Sequence, residues 1–304
     1  MLVLALLGGT AVAFAVTESL KLQPTPILGT RVDKVFSPVC GCADPVANIR
    51  FRVRERDHVE VVVVDGGGDV VRRLGEEDAG KGATVEFVWD GLDDEGGIIP
   101  EGTYRARVHL DRARKTIELP NDIVLDATKP VVQLTRVAPQ TFSPDGDGRR
   151  DRVRVVYESS EPVKAFLFVN GKQRVESRFR RAKDKLEWFG KVGGKSVPPG
   201  AYRLAVEGTD AAGNRSERTG EYVAHVRYIT LARDVVVVRP AQRFAISVRT
   251  DAARYRWRFA GGRGESGAGT LKLRAPVKPG FYTLFVDANG HAAKATVAVR
   301  KVRR

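Results

Sequence analysis

Three aspartates, Asp145, Asp147 and Asp151, stand at D-x-D-x-x-x-D spacing in Phe142-Ser143-Pro144-Asp145-Gly146-Asp147-Gly148-Arg149-Arg150-Asp151. Carboxylates so spaced offer several hard oxygens to a Ca²⁺, and the glycines let the loop curl around it. The distal bidentate Glu and the helix of an EF-hand are missing, so a cation here would sit at the edge of β-structure. The same residues also fit a polar turn held by Asx hydrogen bonds, with Arg149 and Arg150 neutralising the acids. Calcium is the one cofactor the sequence suggests, and the turn reading needs none.

The second chemistry is cationic. Lys172, Arg174, Arg178, Arg180, Arg181, Lys183 and Lys185 crowd one stretch against only Glu176 and Asp184, with Phe179 among them. Farther on, Arg254, Arg256 and Arg258 alternate with Tyr255, Trp257 and Phe259, the period-2 pattern of a strand with one cationic and one apolar face. Phosphate, carboxylate-rich glycan and phospholipid surfaces all suit such patches, and a solvated hairpin face suits the first one equally well. Nucleic acid is not expected, because no helix-turn-helix, RRM or KH pattern accompanies the charge.

Catalytic groupings are not apparent. His58, His109, His225 and His291 have no partnered nucleophile and no H-E-x-x-H spacing, and no glycine-rich loop joins a strand to a helix. Cys40 and Cys42 are the only cysteines, too few and too close for a zinc site. In an oxidising compartment they would bridge each other, pair between chains or stay as thiols. The expectation is a protein that is not an enzyme.

These residues hang on a repeated framework. Phe87-Val88-Trp89 closes an apolar run, Asp90-Gly91 and Asp93 to Gly97 supply turn residues, and Pro100-Glu101-Gly102 makes a corner before Tyr104. A Tyr just past such a corner suits the tyrosine corner of β-sandwiches. Trp188-Phe189-Gly190, followed by Pro198-Pro199-Gly200-Ala201-Tyr202, repeats the plan. Val277-Lys278-Pro279-Gly280-Phe281-Tyr282 keeps only the corner, with Trp257 upstream. Phe36-Ser37-Pro38 opens the first copy and Phe142-Ser143-Pro144 the second. Repetition at this scale marks domains. The expected fold is all-β: three tandem immunoglobulin/fibronectin-like antiparallel β-sandwiches over 33–128, 129–227 and 228–304, after an N-terminal hydrophobic segment.

The Trp-Asp-Gly turn followed by Pro-x-Gly-x-Tyr resembles the immunoglobulin-like domain of the flagellar hook-capping (FlgD-type) family. The likeness covers roughly Asn48 to Leu110 with every hallmark present. In the second copy Phe189 stands where the Asp would be. The resemblance implies a fold; modules of this kind serve hook caps, proteases, glycan-active enzymes and surface proteins alike.

Residues 1–16 are uncharged and apolar, which fits a signal anchor or a cleaved signal peptide, with 17–32 as a tether. Either would place the body outside the cytoplasm, in the cell envelope or secreted, with the membrane as a contact in the anchored case. Charge is unevenly spread. Residues 33–128 carry 13 Lys and Arg against 20 Asp and Glu, whereas residues 129–304 carry 36 against 16. The expected function is a non-catalytic envelope structural or adhesive protein. The alternative is an accessory module for an anionic wall glycan, or a non-catalytic subunit of a secreted enzyme or appendage. Its partners would be an anionic envelope polymer or other envelope proteins.

Overall fold

The computed structural model describes residues 24–43 and 45–301; the apolar segment 1–16, with its expected anchor or signal, lies outside them. The described residues are all-β and contain no helix, so none is long and apolar enough to cross a membrane. They form three hydrophobic cores, each between two sheets, called here the first, second and third sandwiches. The chain divides into two compact units. One runs to Thr128 and includes Ala211–Asn214; the other comprises Lys129–Asp210 and Arg215–Arg304.

In the first sandwich the three-stranded sheet orders Ile27–Val32, Ala47–Val53 and Thr84–Trp89. The five-stranded sheet orders Val35–Phe36, Lys115–Leu125, Gly102–Leu110, Asp57–Val64 and Val70–Ala79. Period-2 alternation sets the inward faces: Ile49, Phe51 and Val53 from one sheet meet Val59, Val61 and Val63 from the other. One expectation needs correction. Ile27–Val32, read as the end of a tether, is a strand paired with Ala47–Val53, its ends Ile27 and Val32 buried in the core. Pro24 and Pro26, which lack an amide donor, precede it, and ladder pairing begins just after them.

The second sandwich is built around one long strand, Val153–Val169. Its first half pairs with Val132–Ala138 and Arg181–Trp188. From Lys164 onward its partners are Gly200–Thr209 and Lys172–Glu176. The pairing with Arg181–Trp188 breaks register between Glu158 and Val163, around Pro162, which cannot donate to a ladder. One strand thus serves both sheets.

The third sandwich packs Ile229–Leu231, Arg243–Thr250 and Gly269–Arg274 against a five-stranded sheet. That sheet orders Val235–Val238, His291–Val299, Gly280–Ala288, Tyr255–Phe259 and Gly262–Ser266.

In each sandwich a short early strand runs parallel to the last strand: Val35–Phe36, Thr141–Phe142 and Val235–Val238. In the first two, that strand delivers a Phe onto the motif Trp, and the Trp meets the corner Tyr. Ring centroids are 5.2 Å apart for Phe36–Trp89 and 5.1 Å for Trp89–Tyr104. The second copy has 5.6 Å for Phe142–Trp188 and 5.3 Å for Trp188–Tyr202. The tyrosine hydroxyls donate to the carbonyls of Pro100, Pro198 and Lys278 at 2.7, 2.8 and 2.9 Å, the same four-residue step each time. Trp89, Tyr104 and Trp188 are buried, while Tyr202 and Tyr282 are half-buried at their corners.

Candidate anion-binding groove and acidic loop

The acidic loop follows directly from the short strand Thr141–Phe142. Ser143 is buried and its hydroxyl donates to Asp145 Oδ2 at 3.1 Å. Both oxygens of Asp151 accept backbone amides, from Gly146 and Gly148, each at 2.7 Å. Asp147 Oδ1 accepts the amide of Arg149 at 2.8 Å. Gly146 and Gly148 sit at φ +85° and +84°, conformations that glycine adopts without Cβ cost. The Asx-turn network is therefore present, and it gathers Asp145, Asp147 and Asp151 so that one oxygen of each lies within 4.8 Å of the others. No ion pair joins Arg149 or Arg150 to these acids among the described residues, so the neutralising role read for them is not the arrangement found.

Two groups of the third sandwich meet this loop. Asn289, at the tip of the closing hairpin, donates its side-chain amide to Asp145 Oδ2 and Asp147 Oδ2, both at 3.2 Å. Asp251 buries both carboxylate oxygens without a hydrogen-bond partner. Burial raises its carboxyl above the ordinary range, and the charges of Asp145 and Asp147 raise it further. Beside these contacts the His291 ring stacks on Tyr228 of the second core, centroids 3.5 Å apart.

A concavity of about 770 Å³ lies on the second sandwich. It opens on the outward face of the sheet formed by Val132–Ala138, Val153–Val169 and Arg181–Trp188. Val156 pairs with Arg136 on one side and Lys185 on the other, which puts all three on the same rung. Arg150, Arg152, Arg154 and Lys183 complete its basic lining, against Asp151 and Asp184. Glu187 takes up Arg152 at 3.4 Å and Arg154 at 2.9 Å, and Lys183 pairs with Glu158. Arg136, Arg150 and Lys185 have no carboxylate partner among the described residues. Phe189 stands at the rim, 46% exposed, with the Arg152 guanidinium 5.4 Å from its centroid.

Phe189 is the residue that replaces the motif Asp. In the first sandwich that Asp, Asp90, caps its turn by accepting the Leu92 amide at 3.1 Å. The second sandwich has no such carboxylate at this position and instead places an exposed ring at the rim of a basic concavity.

The cations singled out in the sequence are distributed over several surfaces. Lys172 and Arg174 lie on the strand Lys172–Glu176, in the opposite sheet from the groove. Arg178 and Arg181 flank the Phe179 ring at 5.1 and 5.9 Å, and Arg180 donates to the Asp210 carbonyl at 3.1 Å. Arg254 and Arg256 pair with Glu265 and Asp287 at 3.6 and 2.6 Å, while Arg258 lies 5.8 Å from the Phe285 ring. Lys183 and Lys185 alone of the dense segment enter the groove. Arg136, Arg152 and Arg154 escaped the sequence reading, and Arg150 was read only beside the acidic loop, although Arg150-x-Arg152-x-Arg154 has the period of one strand face.

The third sandwich also exposes an aromatic pair that the sequence reading placed nowhere. Phe281 and Phe285, 74% and 42% exposed, share the outward face of Gly280–Ala288, with Arg300 and Arg258 at 6.0 and 5.8 Å from their rings. Among the histidines, His58 bonds Asp78 at 3.0 Å, which raises its pKa, and His109 bonds Thr116 at 2.9 Å. Cys40 and Cys42 are joined by a disulfide.

The short parallel strand Val35–Phe36, the tyrosine corner and the Trp-Asp-Gly turn occur together in the first sandwich. Residues 45–113 match the FlgD Ig-like domain family. No curated protein shows significant sequence similarity to the chain. Among solved structures, a bacterial ice-binding adhesin involved in host cell surface retention aligns at 12% identity and TM-score 0.29, over 91% of this chain and 98% of that one. SGBP-B of the Bacteroides ovatus mixed-linkage glucan utilization locus, solved in complex with a mixed-linkage heptasaccharide, aligns at 17% identity and TM-score 0.22, over 92% and 69%. Invasin, a bacterial integrin-binding protein, aligns at 8% and 0.26, over 91% and 60%.

Proposed function

We propose that this chain is a non-catalytic protein of the cell envelope, lying outside the cytoplasm, whose Ig-like modules hold an anionic polymer, with an acidic envelope glycan as the best-fitting class. The observation that carries the reading is the groove of the second sandwich, which Arg136, Arg150 and Lys185, without carboxylate partners among the described residues, line together with exposed Phe189. Guanidinium and ammonium groups recognise carboxylate or phosphate, and an aromatic face covers the C–H face of a sugar ring. A concavity open along a sheet face suits an extended chain better than a small enclosed ligand. The Cys40–Cys42 disulfide supports an oxidising compartment. The FlgD-like match supports a modular, non-enzymatic role.

Phe189→Asp tests it by restoring the family residue at the rim. The variant keeps the turn chemistry, removes the ring and adds a negative charge. Its affinity for a purified acidic envelope glycan, measured by biolayer interferometry, should fall by about tenfold or more, roughly 1.4 kcal/mol, with the melting temperature unchanged or higher. Undiminished binding would remove the groove from the account.

A further inference from the structure

We infer that the outward face of the third sandwich's five-stranded sheet docks on an anionic lipid surface. The strand registers set its residues in rungs. Val237 pairs with Ala298, which pairs with Phe281, and Val235, Thr296 and Thr283 form the next rung. Farther along, Lys294, Phe285, Arg258 and Arg263 make another. All of them point away from the core, because the alternate residues Val236, Leu284, Val286 and Val297 are buried in it. Phe281, Phe285, Val235 and Val237 are exposed, whereas Ala298 between Val237 and Phe281 is only 2% exposed, so its larger neighbours close over it. Single exposed apolar residues are ordinary, but a contiguous group on one face marks a contact surface.

Charge selects the partner. Arg258, Arg263, Lys294 and Arg300 have no carboxylate partner among the described residues, and Arg300 and Arg258 stand beside the two exposed rings. Phenylalanine bordered by arginine and lysine seats its ring at the headgroup boundary while the cations meet anionic headgroups. Sugar stacking suits this face less well, since valine has no ring to lay on a sugar. A protein partner is disfavoured by size. Four strands ~4.8 Å apart, over the ~13 Å from Phe281 to Phe285, span about 200 Å², against ~800 Å² per partner in a stable interface. Lipid binding instead grows with apolar area and cation number together. This face lies on another sandwich from the groove and does not rest on the groove's function.

Hydroxyl-radical footprinting of the full chain tests this ring by ring, on vesicles of mixed phosphatidylglycerol and phosphatidylcholine and on vesicles of phosphatidylcholine alone. Oxidation of Phe281 and Phe285 should fall at least about threefold on the mixed vesicles and stay unchanged on phosphatidylcholine. Reading single rings keeps the result independent of any attachment through residues 1–16. Phe179, an exposed ring flanked by Arg178 and Arg181 on the second sandwich, is the internal control and should be oxidised equally on both. Arg258→Glu combined with Lys294→Glu should abolish the protection at an unchanged melting temperature, whereas Arg136→Glu combined with Lys185→Glu, in the groove, should keep it. Unprotected rings on the mixed vesicles, equal protection on phosphatidylcholine, equal protection of Phe179, or loss of protection in the groove variant each overturn the proposal. Protection by a purified acidic glycan as strong as by the mixed vesicles overturns lipid as the occupant.

Discussion

Tyr104, Tyr202 and Tyr282 each donate to the carbonyl four residues earlier, and that bond explains the Pro-x-Gly-x-Tyr spacing. The corner carbonyl has no strand partner, and the phenol reaches back to supply one while its ring closes the core against Trp89 or Trp188. Tyr104→Phe keeps the ring and deletes only the donor. Its expected cost is about 1 kcal/mol, read from the midpoint of a denaturant titration. Trp89→Ala removes a wholly buried ring that touches both Phe36 and Tyr104, and should cost on the order of 3–5 kcal/mol. This much was legible in the sequence, because a tyrosine corner is local: proline, glycine and tyrosine sit within five positions. Asp251 was not legible. Its neighbours Asp145, Asp147 and Ser143 lie more than a hundred positions away, and only the packing of two sandwiches gives it an environment.

The motif elements form one physical device rather than several coincident signals. Gly190 follows the Trp at φ +59°, and a Cβ there would lie 2.6 Å from Pro144 Cγ and 3.0 Å from Phe142. Gly91 is pressed in the same way by Pro38 and Leu125, at 3.2 Å. The Phe-Ser-Pro opening, the Gly of the turn and the Trp therefore require one another across about fifty residues. Gly190→Ala should destabilise by more than the ~1 kcal/mol of a strained φ alone, since the ring of Pro144 has nowhere to move. A thermal melt of the variant, matched with Gly194→Ala, separates the two contributions: Gly194 has φ +79° and open space around it. Alternation made most strands readable, such as Ile49-x-Phe51-x-Val53. The division of Val153–Val169 between two sheets was hidden, because inward residues keep their period of two straight through Pro162. That division also separates the basic stretch. Lys172 and Arg174 follow the second half of the strand, and Lys183 and Lys185 pair with the first.

At the scale of the whole molecule, charge is partitioned between the compact units. Residues 33–128 are acidic overall, and residues 129–304 carry 36 Lys and Arg against 16 Asp and Glu. Some of these cations are engaged by carboxylates: Arg152 and Arg154 on Glu187, Arg256 on Asp287, Arg215 and Arg218 on Glu207. On the proposed reading, the cations that act on a partner are those of the groove, where Arg136, Arg150 and Lys185 have no carboxylate partner among the described residues. Exposed ion contacts are each worth ~0–1 kcal/mol, so polymer retention must come from several acting together, and it weakens as added salt shortens the Debye length. The full chain should therefore be retained on an acidic envelope glycan at about 50 mM NaCl and largely released at about 500 mM, where screening acts within a few ångströms. Reversing Arg136 and Lys185 to Glu should flatten that salt dependence. Reversing Lys172 and Arg174, which carry comparable charge on the other sheet, should lower the retention far less. If the two double variants lose binding equally, net charge rather than the groove governs the contact; if salt leaves wild-type retention unchanged, the contact is not electrostatic at all.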